Sequence, residues 1–419
     1  MTAALFPSLS ERLAKSARKE RIFVIAVFIC AFLLFIVMFC AHEGIAYAAT
    51  EAQENIEKDL RDGVDGVLDN LDTDAFEDFL ASLGDEERAA HGIEDLKAAL
   101  KSITDGAPSD FFGSFMSALA AAAGSYFMGF LPGVISVVTI CLLKGVLSGL
   151  SSGFKHASTG EVVHTVCYSA VVVILAAGAV RIVLAVTDTV NALSGFSDAV
   201  FPVLLTLLAT VGGGAGVAVY QPFMAVLSGT VIKLLQAVII PAFIAAIVFS
   251  MVGNVSESVK LGRLGKLFRS GAGWIVGIVF GLFAAFLTAQ GIAGGVTDRL
   301  GFNAAKFAVS SYVPILGGYV SDGFDLITAS LVLVKNAVGV TGVAVLLSVV
   351  LFPLLQIAAY ILVLRLAAAV TEPIGDKRVS ELLSSLADNA GLLVTALVGV
   401  GFMFFVVLML VMGSFNPGV

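Results

Sequence analysis

Apolar residues gather in long runs along this chain, and polar residues collect in the gaps between them. Past residue 110 the runs cover roughly 112–131, 132–150, 162–187, 199–214, 217–236, 237–253, 273–294, 307–321, 326–347, 348–369 and 390–413. Several reach the ~20 apolar residues that an α-helix needs to cross a bilayer. They lack the alternating ten-residue pattern of a membrane β-barrel. The pattern therefore predicts an all-α polytopic membrane protein, a helical bundle whose solvent is largely lipid. Shorter runs near Pro202 and Pro314 predict broken or re-entrant segments, stable at membrane depth only where protein or a cavity satisfies their backbone.

Ahead of these runs the pattern changes twice. Arg12, Lys15, Arg18, Lys19 and Arg21 precede an apolar stretch over 22–41, and Ala46-Tyr47-Ala48 follows it. This predicts a signal peptide, or an uncleaved signal anchor, over 1–49, with its basic flank left in the cytoplasm. In 50–110, Ile56, Leu60, Val64, Val67 and Leu71 recur at helical spacing, and Phe76, Phe79, Leu80 and Leu83 form a second set behind Asp72 and Thr73 as caps. That segment reads as an acidic extracytoplasmic helical domain, and 111–419 as the polytopic membrane domain.

Self-comparison suggests a repeat. Pro202 and Pro314, like Pro241 and Pro353, are 112 residues apart, and Val186-Thr187-Asp188 returns as Val296-Thr297-Asp298. Glu257 pairs with Glu372 and Arg263 with Arg378. Two units of about 110 residues, near 186–294 and 296–413, are expected, each with a Pro-bearing broken segment and a charged link. Lys260, Arg263, Lys266 and Arg269 in the first link, VSESVKLGRLGKLF, put it in the cytoplasm. Counting crossings puts the second link, VTEPIGDKRVSELL, on the same face, so the copies run parallel. Leu261, Leu264, Leu267 and Phe268 predict that the first link lies as an amphipathic helix on the inner leaflet.

The net charge of −8 is unevenly placed. Residues 51–110 hold 18 of the 32 acids against five bases, so this segment carries 5 − 18 = −13 and the remainder +5. A nucleic-acid footprint, which is basic, is not indicated. Four cysteines lie inside apolar runs without a CxxC, and the four histidines form no HExxH, so neither a metal site nor metal catalysis is expected. The run Gly212-Gly213-Gly214-Ala215-Gly216 lacks the Lys and Ser/Thr of a phosphate loop. No cofactor and no catalytic residue are assigned, and the expected role is non-enzymatic.

Lys335-Asn336, inside the run 326–347, is the main polar feature at apparent membrane depth. An intramembrane lysine costs about 2.5–3.5 kcal/mol on insertion scales and faces the bundle interior or water. It reads as a polar lining or as an interhelical clamp, with Asp322 and Asp325 as candidate partners. Arg181, Lys233 and Arg365 read as snorkelling bases near run ends. Gln221, Gln236, Gln290 and Gln356 are candidates for bonds across helices. Lys260, Arg263, Lys266, Arg269, Glu372, Lys377 and Arg378 in the two links are candidates for contact with anionic lipid or a cytoplasmic partner.

The stretches FPVLLTLLATVGG with VYQPF, NVSESVKLGRLGKLF, AAKFAVSSYVPILGGYVSDGFD, LVKNAVGVTG and LRLAAAVTEPIGDKRV, in this order and spacing, resemble the stage III sporulation protein AE family. The resemblance covers about residue 130 to the C-terminus, and more loosely the segments before it. It implies a permease- or export-gate-like component of a secretion-like transenvelope channel complex, in the mother-cell membrane around the forespore. It also implies a cytoplasmic ATPase partner, ring-forming stage III partners, and a requirement in late forespore development. The alternative from the residues themselves is a secondary transporter or channel for a small solute or ion.

Overall fold

The structure, a computed structural model, describes residues 51–93, 95–104, 111–151, 157–253, 262–293, 317–373 and 377–414. The expected signal segment, Lys260 and Pro314 lie outside them. Two units are distinguished, Met1–Glu57 and Lys58–Val419, and of the first only 51–57, the opening turns of a helix, is described.

Helix is the regular structure of the described residues, as the periodicity predicts. Among the described residues four short helices come first: α1 (Glu51–Asn70), α2 (Asp74–Ser82), α3 (Asp85–His91) and α4 (Leu96–Thr104). Asp72 accepts a bond from the Asp74 backbone N–H at 3.3 Å, whereas the Thr73 hydroxyl bonds Glu77 at 2.9 Å. Phe76, Leu96 and Leu100 are fully buried, which answers where the apolar faces of these acidic helices go. Long helices follow: α5 (Phe111–Ser151), α6 (Ala157–Thr210), α7 (Gly214–Val226), α8 (Ile240–Gly253), α9 (Gly262–Ala293), α10 (Gly317–Thr371) and α11 (Lys377–Gly413). Between α7 and α8 the chain stays helical through two π turns, Leu227–Val231 and Leu235–Ile239. Among the described residues six stretches are long and apolar enough to cross a membrane: Gly113–Leu147, Thr165–Thr210, Gly216–Gly253, Arg263–Leu287, Leu326–Thr371 and Lys377–Gly413.

The number and continuity of these helices correct the reading from run boundaries. Pro202 sits inside the 54-residue α6 and Pro353 inside the 55-residue α10, so neither breaks its helix. A proline removes one i→i−4 bond and crowds the preceding turn, but packing along the remaining length holds the helix together. Run 162–187 and run 199–214 as far as Thr210 are accordingly one helix, which ends at a turn over 211–213. Pro241 is the second residue of α8, directly after a π turn, which absorbs the irregularity. The two expected repeats do not emerge as matching Pro-bearing units; what the described helices share is a long helical run, a short link and another long helix, twice over.

Both links lead straight into long helices. Residues 262–269 are the first turns of the 32-residue α9 rather than a separate helix lying on a leaflet. Likewise Val379, Leu382, Leu383 and Leu386 at the start of α11 are buried within the bundle by neighbouring helices.

α6 and α11 each run antiparallel to α10, and side-chain contacts fix their register. Gly178 of α6 faces the Tyr360 ring of α10, and Phe130 of α5 packs against the same ring at 5.2 Å. Gly342 of α10 faces Val200 of α6 and Leu408 of α11, and Phe201 stacks on Phe404 at 5.7 Å. One end of the bundle gathers the acidic helices: Phe79 of α2 meets Phe196 of α6 edge-on at 6.0 Å, and Tyr126 of α5 donates to Glu86 of α3. Lys101 of α4 reaches Asp65 of α1 at 2.8 Å. The opposite end carries both links.

A Cβ added at Gly401 would lie 2.9 Å from a Val350 methyl, where α11 packs against α10. Gly401→Leu is expected to destabilise the protein by about 1–3 kcal/mol, as overpacking of a stiff β-branched neighbour does. Gly391→Ala, where nothing lies within 4 Å, serves as the control. Thermal unfolding of the detergent-solubilised variants compares them.

Candidate functional site

Five helices converge at the link end. Asp388 of α11 accepts from Arg365 of α10 at 3.1 Å and lies 3.8 Å from Arg269 of α9. One turn away, Ser385 and Asn389 both donate to the Ser250 hydroxyl of α8, at 3.1 and 3.2 Å. Tyr168 of α6 donates to the Met251 carbonyl at 2.9 Å, and Ser380 to the Ala368 carbonyl at 3.1 Å. Helices that are otherwise apolar are thus tied together by polar contacts at one level, where each unpaired group would be costly. Gly265 permits the approach of α9 to α8, since a Cβ there would lie 3.1 Å from the Ala246 carbonyl. Phe268 stacks on Phe249 at 5.6 Å beside it.

The charges around this junction are mostly basic. Lys144, Arg263, Lys266, Arg269, Arg365, Lys377 and Arg378 stand against Glu161, Glu372, Glu381 and Asp388 among the described residues, seven against four. Arg263, Lys266, Glu372 and Lys377 are exposed, whereas Arg269 and Arg378 are half-buried. Lys377 reaches Glu381 only at 3.9 Å, an exposed pair worth little. The candidate link residues are therefore brought to one end, and two of them, Arg263 and Lys266, are presented outward beside Leu264 and Leu267. Arg365, read as a snorkelling base, is instead a partner of Asp388.

Lys335 lies toward the opposite end. Its side chain is fully buried on α10, and its ammonium donates to the Ser414 carbonyl at 2.5 Å, just past the end of α11. A cation here caps the negative end of the α11 dipole and satisfies a carbonyl left over by the helix terminus. Gly339, one turn on, faces Met412 and lets the α11 terminus approach. Of the two readings open from sequence, the described geometry is that of a clamp. The Asn336 side-chain oxygen and the Thr341 hydroxyl are buried without a hydrogen-bond partner among the described residues. Asp322 and Asp325 fall on the first turns of α10, with side chains outside the described set. Pro353 is buried and Pro202 and Pro241 are exposed; none of the three lies in the Lys335 clamp or the Asp388 junction. Among the described residues no group of three His, Cys, Asp or Glu side chains could hold a metal ion.

Comparison with known families matches residues 94–414 to the model of stage III sporulation protein AE. The chain belongs to the stage III sporulation protein AE family. A curated member, stage III sporulation protein AE of Bacillus subtilis (strain 168), is 28% identical over 289 residues, covering 69% of this chain and 72% of that protein. No solved structure matches. The chain is thus a multi-pass membrane component of sporulation, and the family match spans both the link junction and the Lys335 clamp.

Sequence reasoning singled out neither Asp388 nor Ser250. Asp388-Asn389 does interrupt an apolar stretch that otherwise runs to residue 413, which is the signal that could have drawn attention to it. Gln236, expected to bond across helices, does so with the Asn191 side-chain oxygen at 3.0 Å.

Asp388→Asn leaves two half-exposed guanidiniums facing a neutral group, and is expected to cost about 1 kcal/mol at low salt, since screening limits such pairs. The loss should shrink at 1 M salt, where the Debye length is about 3 Å, a comparison read from Tm at two ionic strengths. Lys335→Met should change stability little or raise it. Burying an ammonium costs several kcal/mol, and one charge-assisted bond returns about 1.5–3 kcal/mol. A markedly lower Tm for this variant would show that the lysine has a further partner.

Proposed function

We propose that this protein is the permease- or export-gate-like membrane component of the transenvelope complex that links mother cell and forespore, with a non-enzymatic role. Family membership over 94–414 is the observation that carries the reading. The separation of charge supports it: an acidic helical end and a basic link end lie at opposite ends of the same bundle. With the acidic helices facing the intermembrane space, the basic end faces the mother-cell cytoplasm, as a bias of Lys and Arg toward cytoplasmic links requires. In that arrangement the link end is the surface for a cytoplasmic ATPase or the anionic inner leaflet, and the acidic end the surface for ring-forming subunits. A solute transporter draws less support, because the buried Lys335 is engaged by a backbone carbonyl.

Deletion of this chain is expected to block late forespore gene expression, and the tagged protein purified from sporulating cells should recover an ATPase and ring subunits. Arg378→Glu, at the start of α11, is expected to lower ATPase recovery while protein level stays unchanged. Unaltered recovery would remove the link end as the docking surface. Recovery of the tagged protein alone, together with solute flux in liposomes, would favour the transporter.

A further inference from the structure

The long helices are too long for the membrane they cross. At 1.5 Å per residue, the 54-residue α6 and 55-residue α10 each extend about 80 Å, and even a 40° tilt leaves roughly 60 Å along the membrane normal. A bilayer with its headgroups occupies about 40–45 Å. Part of each helix must stand outside, and the side chains on their outer faces say which part.

On α6 the outward residues begin as Val166, Val173 and Val180, 56–69% exposed, continue through Arg181 and Leu184, and then change to Asp188, Asn191 and Asp198, also exposed. On α5 the change runs the other way along the chain, from Ser117, Gly124 and Ser125 to Met128, Ile135 and Val146, as the antiparallel packing demands. The continuous helical run from α7 into α8 passes from exposed Lys233 and Gln236 to Ile244 and Val248. Gln236 bonds Asn191 at 3.0 Å, so the polar edges of α6 and of this run are in register. Between that edge and the Arg269–Asp388–Arg365 cluster lies a belt whose outward large side chains are apolar except Arg181, two turns from Asp188 and within snorkelling reach of the edge. From Tyr126 to Lys144 on α5, and from Gln236 to Gly253, it measures about 25–27 Å at 1.5 Å per residue, close to the ~30 Å hydrocarbon core.

Beyond the polar edge the neighbours are charged. The acidic helices pack directly on this part of the bundle, through Phe79 against Phe196 and through Ser330, whose hydroxyl lies 3.4 Å from the Leu60 carbonyl. Ionised Asp and Glu side chains at this density cannot sit in hydrocarbon. Gly342 is level with Val200, past the polar edge, and Lys335 lies two turns, about 10 Å, farther on.

We infer that the bilayer contacts only this belt at the link half of the bundle, and that the halves of α6, α10 and α11 holding Lys335 form a water-exposed dome beneath the acidic helices. The Lys335 clamp is then part of an extramembrane core. This placement does not depend on the function proposed above.

Trp274, the one tryptophan of the chain, lies on α9 in the belt and is 73% exposed, so its fluorescence reports directly. In liposomes of phosphatidylcholine brominated on the acyl chains, the full-length protein should lose most of its tryptophan emission relative to unbrominated lipid. In the double variant W274F/D198W the emission should survive brominated lipid and be quenched by aqueous iodide. W274F/V173W, within the belt on α6, should behave like the wild type. Quenching at position 198 by brominated lipid as strong as that of Trp274 would overturn the dome. A Trp274 insensitive to brominated lipid would equally overturn the inference, since a second copy or another protein, rather than lipid, would then cover the belt.

Discussion

From Val334 to Val350, more than four turns of helix, α10 is buried except along one stripe, where Asn336, Val340 and Val343 are partly exposed. A segment this apolar and this enclosed is stable only when neighbours cover nearly all of its surface. Those neighbours are supplied by α6 and α11, admitted by Gly342 and Gly401, and by α5, whose Phe115 meets Phe352 of α10 edge-on, while the acidic helices pack on α6 through Phe79 against Phe196. The position of α11 then determines where its C-terminus ends, and this is where Lys335 finds its carbonyl.

At the other end the bundle is held differently. Apolar packing supplies little specificity in lipid, because acyl chains are as apolar as leucine. Polar groups therefore fix the register there: Ser250 accepts from two residues of α11, and Asp388 lies within reach of guanidiniums from two different helices. The same groups keep the two links together, so a partner or lipid surface that engages one meets the other. A half-buried carboxylate shared by two bases also leaves the surrounding surface basic rather than neutral.

Much of this was legible along the chain. The helical class follows from run length, the acidic segment from its charge, its buried faces from the spacing of Phe76, Phe79 and Leu80, and the common end of the two links from charge bias and crossing number. Run boundaries misled where a polar or proline residue interrupts a continuous helix. Asp188 and Pro202 look like punctuation in sequence, yet α6 passes through both, since an exposed aspartate and one missing N–H each cost less than ending a packed helix.

Sequence by itself determined family, solvent class and the placement of charge, because these depend on residue types summed over segments or matched in order. Only the tertiary structure decided what each polar residue among the apolar runs is for. A hydropathy window records that Lys335 sits in apolar surroundings but cannot distinguish lipid from buried protein. Nor can it join Arg269, Arg365 and Asp388, which are far apart along the chain and meet because antiparallel helices of fixed rise bring their turns to one level.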